Sequence, residues 1–152
     1  MKRPIIEAMH TVAYHFLMRI TVGETVTLYH RSRPFPEDSR RFRQLRFEPE
    51  LYRFLRVKRW KSRILTAKPW QFDMKERTAQ ELLFHVKQAE TVHELSMLLS
   101  YLPLLFSRSP FQVFAAVFGS LADLKYTIVQ RFNRPRIERL LRRTDQRRTD
   151  KT

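Results

Sequence analysis

The chain has 152 residues, with 30 Lys and Arg against 15 Asp and Glu for a net charge of +15, two glycines and no cysteine. Such a length allows one ordinary domain or a few helices shared between water and lipid, and such a charge calls for an anionic partner or surface. Without cysteine there is no disulfide scaffold, thiol nucleophile or Cys-ligated zinc, and so little glycine argues against nucleotide-binding α/β folds, whose phosphate loops need it.

Residues 5–22 place Ile5, Ile6, Met9, Ala13, Phe16, Leu17 and Ile20 at helical spacing, with Glu7, His10 and Arg19 among them. This predicts an amphipathic helix, either packed in a core or lying in a membrane interface, ended by Gly23. The start is basic but lacks an uninterrupted apolar core and a small-residue cleavage site, so it reads as part of the mature protein. Residues 30–50 are rich in proline and charge and read as a connector. Residues 51–65 (LYRFLRVKRWKSRIL) predict a short basic helix or strand–turn, with Trp60 among Lys58, Arg59, Lys61 and Arg63. Aromatic rings among cations suit a lipid headgroup layer, and they also suit stacking on nucleic-acid bases.

Thr78-Ala79-Gln80-Glu81 has the form of a capping box, so a helix starts there. Rotation of about 100° per residue then aligns Leu82, Leu83, Val86, Ala89 and Met97, with Glu90 and His93 in the same stripe. An acid and an imidazole three residues apart are neighbours on a helix, and burying them is costly unless they are satisfied. They read either as a general-base dyad or as a structural polar pair. The Glu-x-x-His spacing also matches half of a dimetal carboxylate site, but no second copy occurs in the chain, and no metal is expected. His85 and Glu90 have the spacing of the His-x4-acid motif of glycerolipid acyltransferases, a coincidence in a chain too short for that fold.

Residues 95–106 carry no charge but are too few to cross a hydrocarbon core of about 30 Å, and Pro103 kinks them. Residues 107–110 make a turn, and residues 111–129 are long enough to span but hold Asp123 and Lys125. Together these predict an apolar helical hairpin. Basic residues crowd both its outer ends and the turn holds only Arg108, so both ends are expected on the cytoplasmic side. Gln130, Arg131, Asn133, Arg134 and Arg136 follow directly, a donor set suited to phosphate or carboxylate, with Pro135 expected to end or reshape the helix. The expected architecture is an all-α, small membrane-associated protein. It comprises a single domain over residues 1–142 and a basic, frayed tail over residues 143–152.

Three runs, residues 57–65 (VKRWKSRIL), Ala89-Glu90-x-x-His93 and residues 128–137 (IVQRFNRPRI), occur in order and at spacing that resembles the glycosyl-4,4′-diaponeurosporenoate acyltransferases of carotenoid biosynthesis. The resemblance runs from about residue 16 to residue 142. It implies a small membrane protein that esterifies a sugar hydroxyl of a glycosylated carotenoid with a fatty acyl group. The matching positions include Trp60, Lys61, Glu90, His93, Gln130, Arg131, Asn133, Arg134 and Arg136.

On this reading His93, charged by Glu90, deprotonates the acceptor hydroxyl. Arg131, Arg134 and Arg136 hold the phosphate of an acyl donor (acyl-CoA or acyl carrier protein), with Trp60, Lys61, Gln130 and Asn133 in the same binding set. No bound cofactor is expected. The expected partners are membrane lipids, a lipophilic glycoside acceptor and the acyl donor, at the cytoplasmic face of the cell membrane. The rival readings are a non-enzymatic basic adaptor on anionic lipid, or a soluble nucleic-acid binder using Arg59-Trp60-Lys61 and the tail; the membrane reading expects no nucleic acid.

Overall fold

The computed structural model describes residues 2–36, 39–64, 72, 77–106 and 109–150. Among them the chain is all-α. It runs through α1 (Lys2–Ser32), a 3-10 turn (Arg40–Phe42), α2 (Glu48–Phe54), α3 (Val57–Trp60), a 3-10 turn (Lys61–Arg63), α4 (Ala79–Leu99), a 3-10 turn (Leu102–Leu105) and α5 (Pro110–Thr149). The expected helix or strand–turn after residue 51 is thus helix, and Leu65 at its end lies outside the described residues. The same holds for Ser107 and Arg108 of the expected hairpin turn.

Helix α4 starts as its capping box dictates. The Thr78 amide donates to Glu81 Oε2 at 2.9 Å, and the Glu81 amide donates to Thr78 Oγ1 at 3.2 Å. These bonds satisfy two amides that have no partner within the helix, and the Thr78 amide, then its hydroxyl, by donating to Oε2 hold the Glu81 carboxyl below its usual pKa. Two expected breaks do not occur. Helix α1 passes through Gly23, because its buried stripe of Met18, Val22 and Val26 continues on both sides of that residue. A glycine inside a helix costs only about 1 kcal/mol. Helix α5 likewise passes through Pro135 and keeps helical backbone to Thr149, through most of the stretch read as a tail. Proline there removes one amide bond and leaves the rest of a 40-residue helix intact.

The described residues pack as two units, one of residues 1–33 and 91–127, the other of residues 34–90 and 128–152. In the first, α1 joins the C-terminal part of α4 and the first half of α5. Its apolar centre is small: Met18, Val22 and Val26 with Tyr14, Val92 and Leu99 around them. Polar groups supply the rest of the interior, including Thr11, Ser96, Ser100, Ser120, Asp123 and Thr127. Ser120 Oγ donates to the Met97 carbonyl at 3.2 Å, Ser100 Oγ to the Ser96 carbonyl at 2.8 Å, and the Tyr14 hydroxyl to the Leu99 carbonyl at 2.8 Å. Ala116, Gly119 and Ser120 let the helices approach closely. A Cβ on Gly119 would stand 3.0 Å from the Arg19 guanidinium.

The large apolar side chains of this unit point outwards. Phe16, Leu17, Phe106, Phe114 and Phe118 are each at least 60% exposed. The apolar stripe expected in α1, from Ile5 to Ile20, is on this outer surface and not in a core, as Ile5, Ile6, Met9, Phe16, Leu17 and Ile20 all are exposed. Small and polar residues inside with large apolar ones outside is the packing of helices in lipid. Helix α5 is the one described helix long and apolar enough to cross a membrane.

The second unit has the ordinary arrangement, with an apolar cluster of Tyr52, Val57 and Val129 packed by Leu55, Trp60, Ile64, Ile128 and Phe132. Acids in the first turn and Pro49 favour the start of α2. Arg56 takes a left-handed conformation (φ 51°) to turn the chain between α2 and α3. That turn brings Val57 into complete burial. The outward apolar face of the first unit predicts that the protein stays in the membrane pellet through high-salt and alkaline washes; recovery in the supernatant would contradict it.

Candidate functional site

Two clusters of ionisable residues stand out, one in each unit. In the second unit, the arginine-rich end of the IVQRFNRPRI run meets two acids. Arg134, completely buried, pairs through Nη1 with Oε2 of Glu90, which is also completely buried. Arg131 Nη1 donates to Glu90 Oε1 at 2.9 Å, while its Nε and Nη2 donate to Glu48 Oε1 at 3.0 and 2.5 Å. The Tyr52 hydroxyl completes the set by donating to Glu48 Oε2 at 3.0 Å. Burial, then the Glu48 charge and hydrogen bond, push the Tyr52 hydroxyl far above its usual pKa.

Glu138 adds a third carboxylate to this network, with Oε1 3.7 Å from Arg134 Nε. The Phe42 ring lies under the Arg134 guanidinium, 5.5 Å from ring centre to Cζ. Arg131 and Arg134, expected to hold a phosphate, are thus each ion-paired with carboxylates of the chain itself. Glu90 and Glu48 stand 41 and 83 residues from Arg131 in sequence, so local spacing does not reveal this pairing.

The other members of the expected binding set have separate fates. Trp60 packs in the apolar cluster and spends its indole N–H on the Leu55 carbonyl at 2.9 Å. Gln130 is buried. Lys61 Nζ donates to Asn133 Oδ1 at 2.8 Å and lies 4.9 Å from the Phe132 ring centre. Burial, then Arg136 and Lys58, lower the Lys61 pKa. Lys61, Asn133 and Arg136 line one cavity.

The first unit holds the other cluster. His93 Nδ1 is 3.0 Å from Asp123 Oδ1, and Arg19 Nη2 donates to Asp123 Oδ2 at 2.6 Å. Arg19 also donates to the Gly119 carbonyl at 3.3 Å and to the His15 carbonyl at 3.1 Å, which fixes its guanidinium. The Tyr126 ring stacks on His93 with centroids 4.7 Å apart and planes 10° from parallel. Asp123 is almost wholly buried, whereas a quarter of the His93 side chain is exposed.

The expected Glu90–His93 dyad is thereby redistributed. Glu90 serves the arginines of the second unit, and the acid that faces His93 in its own unit is Asp123 from α5. An aspartate that accepts from Nδ1 fixes the neutral ring as the Nδ1–H tautomer and aims Nε2 away as a base. Among the described residues no three His, Asp or Glu side chains converge as metal ligands. Asp123 carried a sequence signal, since an ionisable group within an apolar span is a functional candidate. Glu48, in a stretch without periodicity, carried none.

These features define a small all-α protein with one basic unit, one apolar-surfaced unit and an acid-oriented histidine. The family model described as glycosyl-4,4′-diaponeurosporenoate acyltransferase matches residues 38–143, more than two-thirds of the chain, and the chain belongs to that family. The matched span includes Glu48, Glu90, His93, Asp123 and the run through Arg136, while all of α1, with Arg19, precedes it. No curated protein and no solved structure matches the chain.

Breaking this network is expected to be costly. Glu90→Gln leaves Arg134 buried without its fully buried counter-charge, with only the more distant Glu138 remaining, and is expected to destabilise the fold by about 3–5 kcal/mol. Thermal unfolding in detergent checks this, and an unchanged Tm would contradict it.

Proposed function

We propose that the protein transfers a fatty acyl group to a hydroxyl of a glycosylated carotenoid, or a similar lipophilic glycoside, at the cytoplasmic face of the membrane. The family supplies the reaction class. The observation that carries the mechanism is the Asp123–His93 pair in a unit whose outer surface is apolar. Such a surface suits a protein that meets a lipid-soluble acceptor in the bilayer.

In this mechanism His93 Nε2 takes the proton of the acceptor hydroxyl as its oxygen attacks the acyl thioester carbonyl. Asp123 holds Nδ1–H and stabilises the imidazolium that forms. When the tetrahedral intermediate collapses, the C–S bond breaks, the ester forms and the thiol leaves with the proton from His93. Arg19 keeps the carboxylate in place, and the Tyr126 ring limits rotation of the imidazole. The acyl donor is a co-substrate and not a resident cofactor.

His93→Ala is expected to lower acyl transfer by roughly 10²–10⁴-fold. The measurement is ester formation from a glycosylated carotenoid and a labelled acyl thioester. A His93→Ala protein with the full rate would overturn the mechanism.

A further inference from the structure

The second unit contains a cavity of about 660 Å³. That lies within the range of roughly 300–1,000 Å³ usual for small-molecule sites. Lys61, Arg136, Arg139 and Arg143 line it, and no acidic side chain does so among the described residues. Its apolar surface includes Leu82 and the Phe72 ring.

The cations are arranged by helix geometry. Arg136, Arg139 and Arg143 sit at i, i+3 and i+7 on α5, which puts them on one face. At about 1.5 Å rise per residue the first and last are separated by roughly 10 Å along the axis. Lys61 joins them with its ammonium held by Asn133. Among the described residues no carboxylate forms an ion pair with any of the four, in contrast to Arg131 and Arg134. The run of like charge is therefore unbalanced, and the lowered Lys61 pKa reflects its nearness to Arg136 and Lys58 as well as its burial.

From this juxtaposition we infer that the cavity is the site of the acyl donor, and that the donor is a nucleotide-linked thioester of the coenzyme A type. A single phosphate, as on a phospholipid or a carrier-protein arm, needs one or two of these cations. Four spread along about 10 Å suit separated phosphate groups. The apolar surface suits the base and the pantetheine arm, with Phe72 offering a ring to the base. The inference rests on the acyl-transfer reading and deepens it. It also moves the phosphate-binding role from Arg131 and Arg134 to Lys61, Arg139 and Arg143, leaving Arg136 in place.

The test is calorimetric titration of free coenzyme A into the full-length protein in detergent, which requires no turnover. The wild type is expected to bind. Arg139→Glu/Arg143→Glu and, separately, Lys61→Met are expected to weaken Kd by roughly tenfold or more. Arg139 and Arg143 are exposed, so their substitution leaves the fold intact. Inorganic pyrophosphate should compete. Absence of binding to the wild type, or equal binding by the variants, would overturn the inference. So would binding of phosphatidylglycerol vesicles that these variants abolish while coenzyme A fails to compete. The two readings fail separately. Coenzyme A binding without any acyl transfer would sink the catalytic reading and keep the site. Acyl transfer from acyl-CoA with KM unchanged in the groove variants would keep the reaction and sink the site.

Discussion

The buried pairing of Arg134 with Glu90 is the constraint on which the second unit depends. Two fully buried opposite charges have a desolvation cost of several kcal/mol each, offset only when geometry and additional hydrogen bonds are good. Arg131 supplies those bonds by bridging Glu90 to Glu48, and Tyr52 closes the chain at Glu48. Through these five side chains α2, α4 and α5 are placed together. The apolar cluster around Val57 forms beside them, where the Tyr52 ring also meets Phe132 edge-on at 5.5 Å. Arginine suits this role because its planar fork can serve two carboxylates at once.

The first unit obeys a different rule. Its interior is polar and its exterior apolar, so its cohesion comes from close backbone approach at Gly119 and from hydroxyl and carboxylate hydrogen bonds. In such an interior Asp123 is held by Arg19 on one oxygen and His93 on the other. The pair is thus part of the packing, while a quarter of the His93 side chain stays exposed. Charges in the two units differ accordingly: paired and sealed at Glu90, balanced but reachable at Asp123, and unbalanced and open along Arg136, Arg139 and Arg143.

What the sequence made legible was local. Helical class, the capping box at Thr78 and the apolar segment in α5 follow from spacing within a few turns, where side chains and backbone settle the outcome among themselves. The family too was legible, from three short runs. The predicted helix end at Gly23 failed, and α5 continues through Pro135, because local penalties of about 1 and 3 kcal/mol are small beside the packing that continues past them. The partners of the arginine run were not legible, since Glu48 reaches Arg131 across 83 residues. Glu90 and His93 look like one face of one helix, yet long-range partners from α5 claim each of them separately. Periodicity shows which residues share a face and is silent on which residue from elsewhere meets it.

The account places catalytic orientation at Asp123 and structural charge pairing at Glu90. The most direct measurement is kcat for the two carboxamide variants, Asp123→Asn and Glu90→Gln, each assayed as folded protein at saturating acceptor and donor. Asp123→Asn is predicted to lose roughly 10²–10⁴-fold in kcat, because an amide no longer fixes the Nδ1–H tautomer or stabilises the imidazolium. Glu90→Gln, once folded, is predicted to keep a kcat close to that of the wild type. A full kcat for Asp123→Asn, with the loss falling on Glu90→Gln instead, would contradict the account and return the base-orienting role to Glu90.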